Sequence, residues 1–329
     1  MKKVLVTGGA GYIGSHTCQV LAQKGYQPVV YDNLVYGHEW AVQWGPLHRG
    51  ELEDQAKLAK VMRDENIEAI LHFAAYAYVG ESVKDPMKYY RNNVVGTLSL
   101  LEVCREVGIR NFVFSSTCAT YGTPKVVPIE ENAEQNPINP YGQSKLMIEK
   151  VLRDLCAAED FRAVALRYFN AAGADPQCLI GEAHDPETHL IPLALQAVTH
   201  PDRPLTIFGK DYLTPDGTCV RDYIHVTDLA DAHVRALEKM NELPEKFSVF
   251  NLGTGHGFSV SQILQMTEKV TGRKVAHSWG DRRAGDPPSL VASGAKARQV
   301  LGWAPAHSDI ETILSTAWKW HQKRQGALK

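Results

Sequence analysis

The chain has 329 residues, 44% of them hydrophobic and 22% charged, which is ordinary for a globular protein and enough for one large or two modest domains. The formal net charge of −2 offers no broad basic field, so we expect no nucleic-acid partner. Six cysteines are scattered without a CxxC pair and thirteen histidines lack ligand-like spacing, so we expect reduced thiols and no metal site.

The apolar segments are short. The first, 4–6, stops at Thr7, which is too early for the core of a signal peptide. No segment approaches the length of a transmembrane helix. We therefore expect a cytoplasmic protein with no membrane contact.

Short apolar runs alternate with helical patterns in the first half of the chain. The runs predict strands at 4–6, 28–31, 69–74, 112–115 and 164–169. The intervening patterns predict helices at 15–24, 53–65, 87–107 and 140–155, the last capped by Asn139 and opened by Pro140. This alternation is typical of an α/β fold with a doubly wound parallel sheet, a Rossmann domain that we expect over residues 1–172.

The alternation of strand and helix patterns is less regular in the second half of the chain. Residues 173–188 and 209–218 are rich in loop formers, and 220–225 is predicted to return to the sheet as a strand. Helix starts are indicated by a Thr cap and two capping boxes, at Thr227, at Ser259 with Gln262, and at Ser308 with Glu311. We expect a smaller, mixed α/β substrate-binding lobe over 173–329, with a soft boundary that the chain crosses again near 219–240.

A dinucleotide site is indicated by Gly8, Gly11 and Gly14, which lie between the first predicted strand and helix. Glycines at this spacing allow a tight turn, close approach of the backbone to a pyrophosphate, and close helix packing. Asp32, at the end of the second predicted strand, can accept hydrogen bonds from a ribose and would repel a 2′-phosphate. The pattern therefore favours NAD over NADP, although Asp32 also suits a plain turn.

A catalytic pair is indicated by Tyr141 and Lys145, four residues apart on one face of a predicted helix. A nearby ammonium and a positive nicotinamide would lower the pKa of the phenol and let it take a proton from a hydroxyl. Thr117 follows the strand at 112–115, so its hydroxyl is expected at the ligand-binding edge. Ser115 and Ser116 are also read as polar residues that close the strand.

These motifs together resemble extended short-chain dehydrogenases. Further segments resemble the UDP-glucose 4-epimerase family in particular, in order along nearly the whole chain: Tyr31-Asp32-Asn33-Leu34, Val79-Gly80-Glu81-Ser82, Asn92-Asn93-Val94, Arg167-Tyr168-Phe169-Asn170, Arg221-Asp222-Tyr223-Ile224-His225, Asn251-Leu252-Gly253 and Arg282-Arg283-Ala284-Gly285-Asp286.

The resemblance implies a tightly held NAD and the exchange of UDP-glucose with UDP-galactose through a 4-keto sugar, in a homodimer. The catalytic residues it implies are Tyr141, Lys145 and Thr117. The implied cofactor contacts are Gly8, Gly11, Tyr12, Ile13, Gly14, Asp32, Asn33, Leu34, Glu51, Leu52, Phe73, Ala74, Ala75, Asn92, Ser115, Tyr141, Lys145 and Tyr168. The implied substrate contacts are Thr117, Tyr141, Asn170, His189, Leu190, Thr206, Phe208, Arg221, Arg283, Asp286 and Leu290.

Five positions depart from the family pattern or vary within it. Glu51 stands where Asp is usual, Ala77 replaces a frequent lysine, and Thr117 keeps the hydroxyl of a more common Ser. His189 stands where Asn is usual. Leu290 is intermediate between the bulky aromatics that exclude N-acetylated sugars and the small residues that admit them. We expect UDP-glucose and UDP-galactose to be the main pair, with some turnover of UDP-N-acetylglucosamine.

Three other readings compete. A nucleotide-sugar 4,6-dehydratase resembles this pattern but carries Asp-Glu after the Thr, where this chain has Cys118-Ala119. An epimerase acting on a UDP-uronate or UDP-pentose remains open from the sequence. A non-catalytic NAD-binding sensor would keep the glycines but commonly lose the pair that Tyr141 and Lys145 form.

Overall fold

The computed structural model describes residues 2–282 and 287–327. In chain order, the strands are β1 (Lys3–Thr7), β2 (Gln27–Asp32), β3 (Leu47–Arg49), β4 (Ala69–His72), β5 (Asn111–Ser115), β6 (Arg162–Arg167), β7 (Asn170–Ala172), β8 (Leu205–Phe208), β9 (Val220–Arg221), β10 (Tyr223–His225), β11 (Phe247–Asn251), β12 (Phe258–Ser259), β13 (His277–Gly280) and β14 (Ser289–Leu290).

The α-helices are α1 (Tyr12–Gln23), α2 (Gln55–Asp64), α3 (Val79–Lys84), α4 (Pro86–Tyr89), α5 (Gly96–Val107), α6 (Pro140–Ala158), α7 (Leu190–Thr199), α8 (Val226–Lys239), α9 (Val260–Thr271), α10 (Ala295–Leu301) and α11 (Ile310–Ala327). Short 3₁₀ turns cover Glu39–Ala41, Cys118–Tyr121 and Met240–Glu242, and a π-helical segment covers Tyr90–Val95. No helix within the described ranges combines the length and apolar character that a membrane crossing requires.

Seven strands form one parallel sheet in the order β11-β6-β5-β4-β1-β2-β3. Its strands are apolar on both faces because helices cover both. Val4 and Val6 of β1 belong to the core under α1 and α8, while Leu5 belongs to the core under α2, α5 and α6. The predicted doubly wound α/β fold is confirmed, and its strand order changes direction at β1 and β4, where such folds bind ligands.

Three small sheets lie outside the main one: β10 with β7, β9 between β12 and β14, and β13 with β8. Helices α7, α9 and α11 share their cores. Together these elements form the predicted mixed α/β lobe.

The prediction that 220–225 returns to the main sheet is wrong. The segment divides at Asp222, whose carboxylate accepts hydrogen bonds from the backbone of Thr254 and Ala292. The halves on either side, β9 and β10, pair with strands of the small sheets. The seventh strand of the main sheet is instead β11, which the sequence analysis did not predict.

Two predicted helix starts are also wrong. Helix α8 begins at Val226, and the side chain of His225 rather than Thr227 caps it. Before α11, Asp309 accepts from the backbone of Thr312, whereas Ser308 donates to Asp228. The Asn139 cap of α6 is confirmed, and so is the capping box between Ser259 and Gln262. The predicted helix at 87–107 is divided by the π-helical segment.

Candidate active site

A cavity of about 2170 Å³ runs along the carboxyl-terminal edge of the parallel sheet. Most of the predicted site residues line it: Gly8, Gly11, Tyr12, Ile13, Gly14, Asp32, Asn33, Glu51, Leu52, Phe73, Ala74, Ala75, Asn92, Ser115, Thr117, Tyr141, Lys145, Tyr168, Asn170, His189, Leu190, Thr206, Phe208, Arg221 and Leu290. Leu34 does not line it and packs against the core beside α1. Arg283 and Asp286 lie outside the described residues.

Two glycines around the turn between β1 and α1 have no room for a side chain. Gly8 adopts φ +73°, and a Cβ there would lie 2.6 Å from the backbone nitrogen of Ala74. A Cβ on Gly14 would lie 2.2 Å from the carbonyl oxygen of Gly8. The glycines thus hold the first turn of α1 directly against the strand end, with its free N–H groups and positive dipole toward the cavity. This cradle fits a pyrophosphate.

Asp32 closes the far side of this cradle. Its carboxylate accepts hydrogen bonds from the backbone nitrogens of Ala10, at 3.0 Å, and Leu34, at 2.8 Å. Burial raises the pKa of Asp32, and the two backbone hydrogen bonds oppose that rise. Asp32 therefore stabilises the turn and also faces the ligand, because its carboxyl group lines the cavity while it organises the loop after β2.

Tyr141 and Lys145 reach the cavity from the first turns of α6. The side chain of Asn139 fixes the start of that helix by accepting from the backbone of Gly142 at 2.8 Å. One turn on, Lys145 Nζ donates to the carbonyl oxygen of Ser115 at 2.8 Å and lies 4.8 Å from the centre of the Phe114 ring. The helix start and the end of β5 together fix the position of the ammonium group.

The electrostatics of the pair depend on burial. Burial raises the pKa of Tyr141 to about 12 in the protein alone, although a hydrogen bond with Thr117 lowers it. Burial lowers the pKa of Lys145 to about 7, against the attraction of Glu149. At Tyr141 desolvation thus outweighs the Thr117 hydrogen bond, so the predicted lowering of the phenol's pKa needs the positive nicotinamide.

The strand end beside the pair has a buried support. Ser115 Oγ lies 2.6 Å from the hydroxyl of Tyr168, and Ser116 donates to Glu149 at 2.5 Å. Glu149 is itself buried against the guanidinium of Arg167. Ser116 therefore has a structural partner, whereas Ser115 lies at the cavity wall.

The opposite wall comes from the small sheets. All four residues of β8 line the cavity, with Leu205 and Ile207 buried and Thr206 and Phe208 exposed. Arg221 of β9 is directly paired with Leu290 of β14, which places both side chains near one point of the wall.

The sequence analysis missed an aromatic part of the wall. Tyr36 contacts Tyr76 and Tyr78 edge to face, with ring centroids 5.4 Å and 5.3 Å apart. Lys88 Nζ lies 4.6 Å from the centre of the Tyr76 ring. The available signal was the position of Tyr76 and Tyr78 directly after a predicted strand, where side chains reach the ligand edge. Glu182, His184 and Glu187 also line the cavity and were not predicted.

Known proteins match this chain over nearly its full length. Residues 4–253 match the model of the NAD dependent epimerase/dehydratase family. The UDP-glucose 4-epimerase of Rhizobium meliloti (strain 1021) is 55% identical over 321 residues, covering 98% of this chain and 97% of the relative.

Solved structures of UDP-glucose 4-epimerases also match the fold of this chain. That of UDP-glucose 4-epimerase from Brucella ovis in complex with NAD has a TM-score of 0.94 at 54% identity, covering 97% of this chain and 98% of the other. That of UDP-glucose 4-epimerase from Bifidobacterium longum in complex with NAD⁺ and UDP has a TM-score of 0.93 at 37% identity, covering 98% and 99%.

Proposed function

The chain belongs to the NAD dependent epimerase/dehydratase family, among its UDP-glucose 4-epimerases, and from this premise we propose the roles of its residues in the reaction. The enzyme interconverts UDP-galactose and UDP-glucose by inverting C4 through a 4-keto intermediate. NAD supplies the hydride acceptor and, in its oxidised form, a positive charge beside the phenol.

The glycine turn and the first turn of α1 hold the pyrophosphate, and Asp32 accepts from the adenosine ribose. Asn33, Glu51 and Leu52 line the same end of the cavity. What supports this assignment is the close packing at Gly8 and Gly14, where a side chain has no room, because it holds the start of α1 against the strand end at the cavity. Leu34 contributes through its backbone and packing.

Tyr141 takes the proton from the 4-hydroxyl of the sugar and returns it after the 4-keto sugar has turned over in the cavity. Thr117 hydrogen-bonds the phenol and favours its ionised form, while Lys145 adds positive charge from the side of β5 in its protonated form. The observation that carries the proposal is that these three side chains, from α6 and the end of β5, line one cavity together.

The substrate lies against the wall built by β8, β9 and β14, where Arg221 offsets the diphosphate and Thr206 and Phe208 contact the nucleotide. Asn170, His189 and Leu190 face the sugar. Arg283 and Asp286 are proposed partners of the diphosphate and the uridine ribose from the sequence alone. We assign the cofactor to residues 1–172 and the substrate to 173–329, with α8 and β11 returning to the first part.

The functional test uses the purified protein with UDP-galactose and no added NAD, with UDP-glucose followed by NMR. We expect conversion, because the cofactor stays bound through the cycle. In parallel, UDP-N-acetylglucosamine should react more slowly, because Leu290 narrows the wall at the sugar end. Equal efficiency on both pairs would contradict the role of Leu290. Absence of conversion even with NAD added would contradict the assigned substrate.

The protein is proposed to be a cytoplasmic homodimer. Helices α3 to α6 expose large apolar side chains of the kind that mark protein contacts: Val83, Met87, Val95, Leu98 and Met147. We expect a dimer in sedimentation equilibrium, and a shift toward monomer in Leu98→Arg because a charge would be buried in the contact. Leu213→Arg is the matched control, since Leu213 is 96% exposed and lies on a distant loop. A monomeric wild-type protein would refute the proposal.

A further inference from the structure

A compact group of four side chains lies in the loop before α7. Glu182, His184, Glu187 and His189 each offer a ligand atom, and these atoms all lie within 4.8 Å of one another. All four line the cavity, but the proton transfer assigned to Tyr141 uses none of them. We call this group the Glu–His cluster.

The distances within the Glu–His cluster converge on one point. His189 Nδ1 lies 2.7 Å from Glu182 Oε1 and 3.3 Å from Glu187 Oε1. His184 Nδ1 lies 3.0 Å from Glu182 Oε1 and 3.8 Å from Glu187 Oε2. Four ligands arranged tetrahedrally about 2.0–2.1 Å from a zinc ion would be separated by roughly 3.4 Å. The observed spacings bracket that value.

A second observation concerns unsatisfied polar atoms. His189 Nδ1 is buried at ion-pair distance from both carboxylates, although its hydrogen-bond geometry to them is poor. The hydroxyl of Tyr78, whose ring lies 6.0 Å from that of His184, is buried without a partner in the part of the chain that the structure describes. Buried polar atoms are nearly always satisfied, so the Tyr78 hydroxyl, which is unpaired among the described residues, leaves room for a further polar partner beside the Glu–His cluster.

We propose that Glu182, His184, Glu187 and His189 bind a divalent transition-metal ion of the zinc class. Two imidazoles disfavour calcium and magnesium, which prefer oxygen ligands, and suit zinc. The two carboxylates, whose side chains are only 7% and 9% exposed, supply the charge that a divalent cation neutralises. The two carboxylates thus balance the charge of the ion, and the two imidazoles favour zinc over calcium and magnesium.

The position of the site gives the ion a structural role. His184 contacts the ring of Tyr12 at the start of α1, with centroids 6.1 Å apart. His189 occupies the position before Leu190, where α7 begins. An ion held by both histidines would tie the loop between β7 and α7 to the cofactor cradle on one side and the substrate wall on the other. In this proposal the four residues position the loop between β7 and α7 and take no part in the chemical step.

Protons compete with the metal for the same atoms. Burial acts to lower the pKa of His184, but hydrogen bonds with Glu182 and Glu187 raise it to about 9. The same two carboxylates outweigh burial at His189 and raise its pKa to about 10. Metal binding must displace protons from these ligands and must tighten as the pH rises.

The test uses tag-free, full-length protein stripped with a chelator and titrated with Zn²⁺ by calorimetry in two buffers of different ionisation enthalpy. We expect one ion bound per chain, release of protons on binding, and tighter binding at pH 8 than at pH 6. His184→Ala and Glu187→Gln should each weaken binding by at least about 100-fold, since each removes a ligand. The second variant keeps the side-chain volume, which guards against loss of the fold.

His256→Ala is the matched control, because His256 is exposed and lies outside the Glu–His cluster; its affinity for Zn²⁺ should equal that of the wild type. Equal binding by wild type and His184→Ala would place the ion elsewhere and overturn the proposal. So would an absence of Zn²⁺ binding at either pH, because the Glu–His cluster would then be an ion-pair network alone.

Discussion

Replacing Tyr141 with phenylalanine is expected to lower kcat by about 10²- to 10⁴-fold, the usual contribution of a positioned acid–base group. The change removes only the hydroxyl, and the ring still fills the buried space beside Thr117. NAD should remain bound, because the glycine turn and Asp32 are untouched. The measurement is the rate of UDP-galactose conversion together with the NAD content of the purified variant.

Tyr26→Phe is a suitable control, since the hydroxyl of Tyr26 lies outside the cavity and its loss should leave kcat unchanged. A Tyr141→Phe variant with full activity would show that another group takes the proton. Loss of NAD from that variant would show that the phenol holds the cofactor rather than acting on the sugar.

Replacing Glu149 with alanine is expected to lower the free energy of unfolding by about 3–5 kcal/mol, the usual cost of stranding one member of a buried ion pair. Arg167 donates to Glu149 through Nε at 2.9 Å and through Nη2, and both side chains are at most 2% exposed. Burial disfavours the guanidinium charge, but Glu149 outweighs it and keeps the pKa of Arg167 raised. Without Glu149, a buried cation would lack its counter-ion.

Urea unfolding of wild type and variant measures this cost. Glu134→Ala is the control, because Glu134 pairs with Lys125 on the surface and solvent screens that pair. We expect its stability to stay close to that of the wild type. Equal stability of Glu149→Ala and Glu134→Ala would mean that the buried pair contributes nothing. Since Ser116 also donates to Glu149, the variant should further disturb the strand end that carries Thr117.

The sequence predicted the parallel sheet well because its strands are buried on both faces and read as apolar runs, as at Val4–Val6 and 112–115. The sequence-based prediction failed where two different structures give the same pattern of residues. The π-helical segment at Tyr90–Val95 is only 6 residues long, too short for a change in apolar spacing to be recognised. Segment 220–225 read as one strand because its division at Asp222 depends on distant backbone donors.

The same limits apply to the site. The glycine spacing and the Tyr141–Lys145 pair are local patterns, so both can be recognised from the sequence alone. The Glu–His cluster was overlooked since its members, at positions 182, 184, 187 and 189, match no familiar ligand spacing, and a loop brings them together. The pKa of Tyr141 could not be predicted either, because it depends on how much water the folded cavity excludes.

The placement of β11 beside β6 has a consequence for how the protein is made. The ribosome releases β1 to β6 well before β11 (Phe247–Asn251) has been synthesised. Until then the edge of β6 remains unpaired. Helix α8, which packs on α1, also arrives late. The nascent chain therefore exposes an open strand edge and an uncovered apolar helix face, which are the features that chaperones bind, until more than two thirds of the polypeptide has emerged.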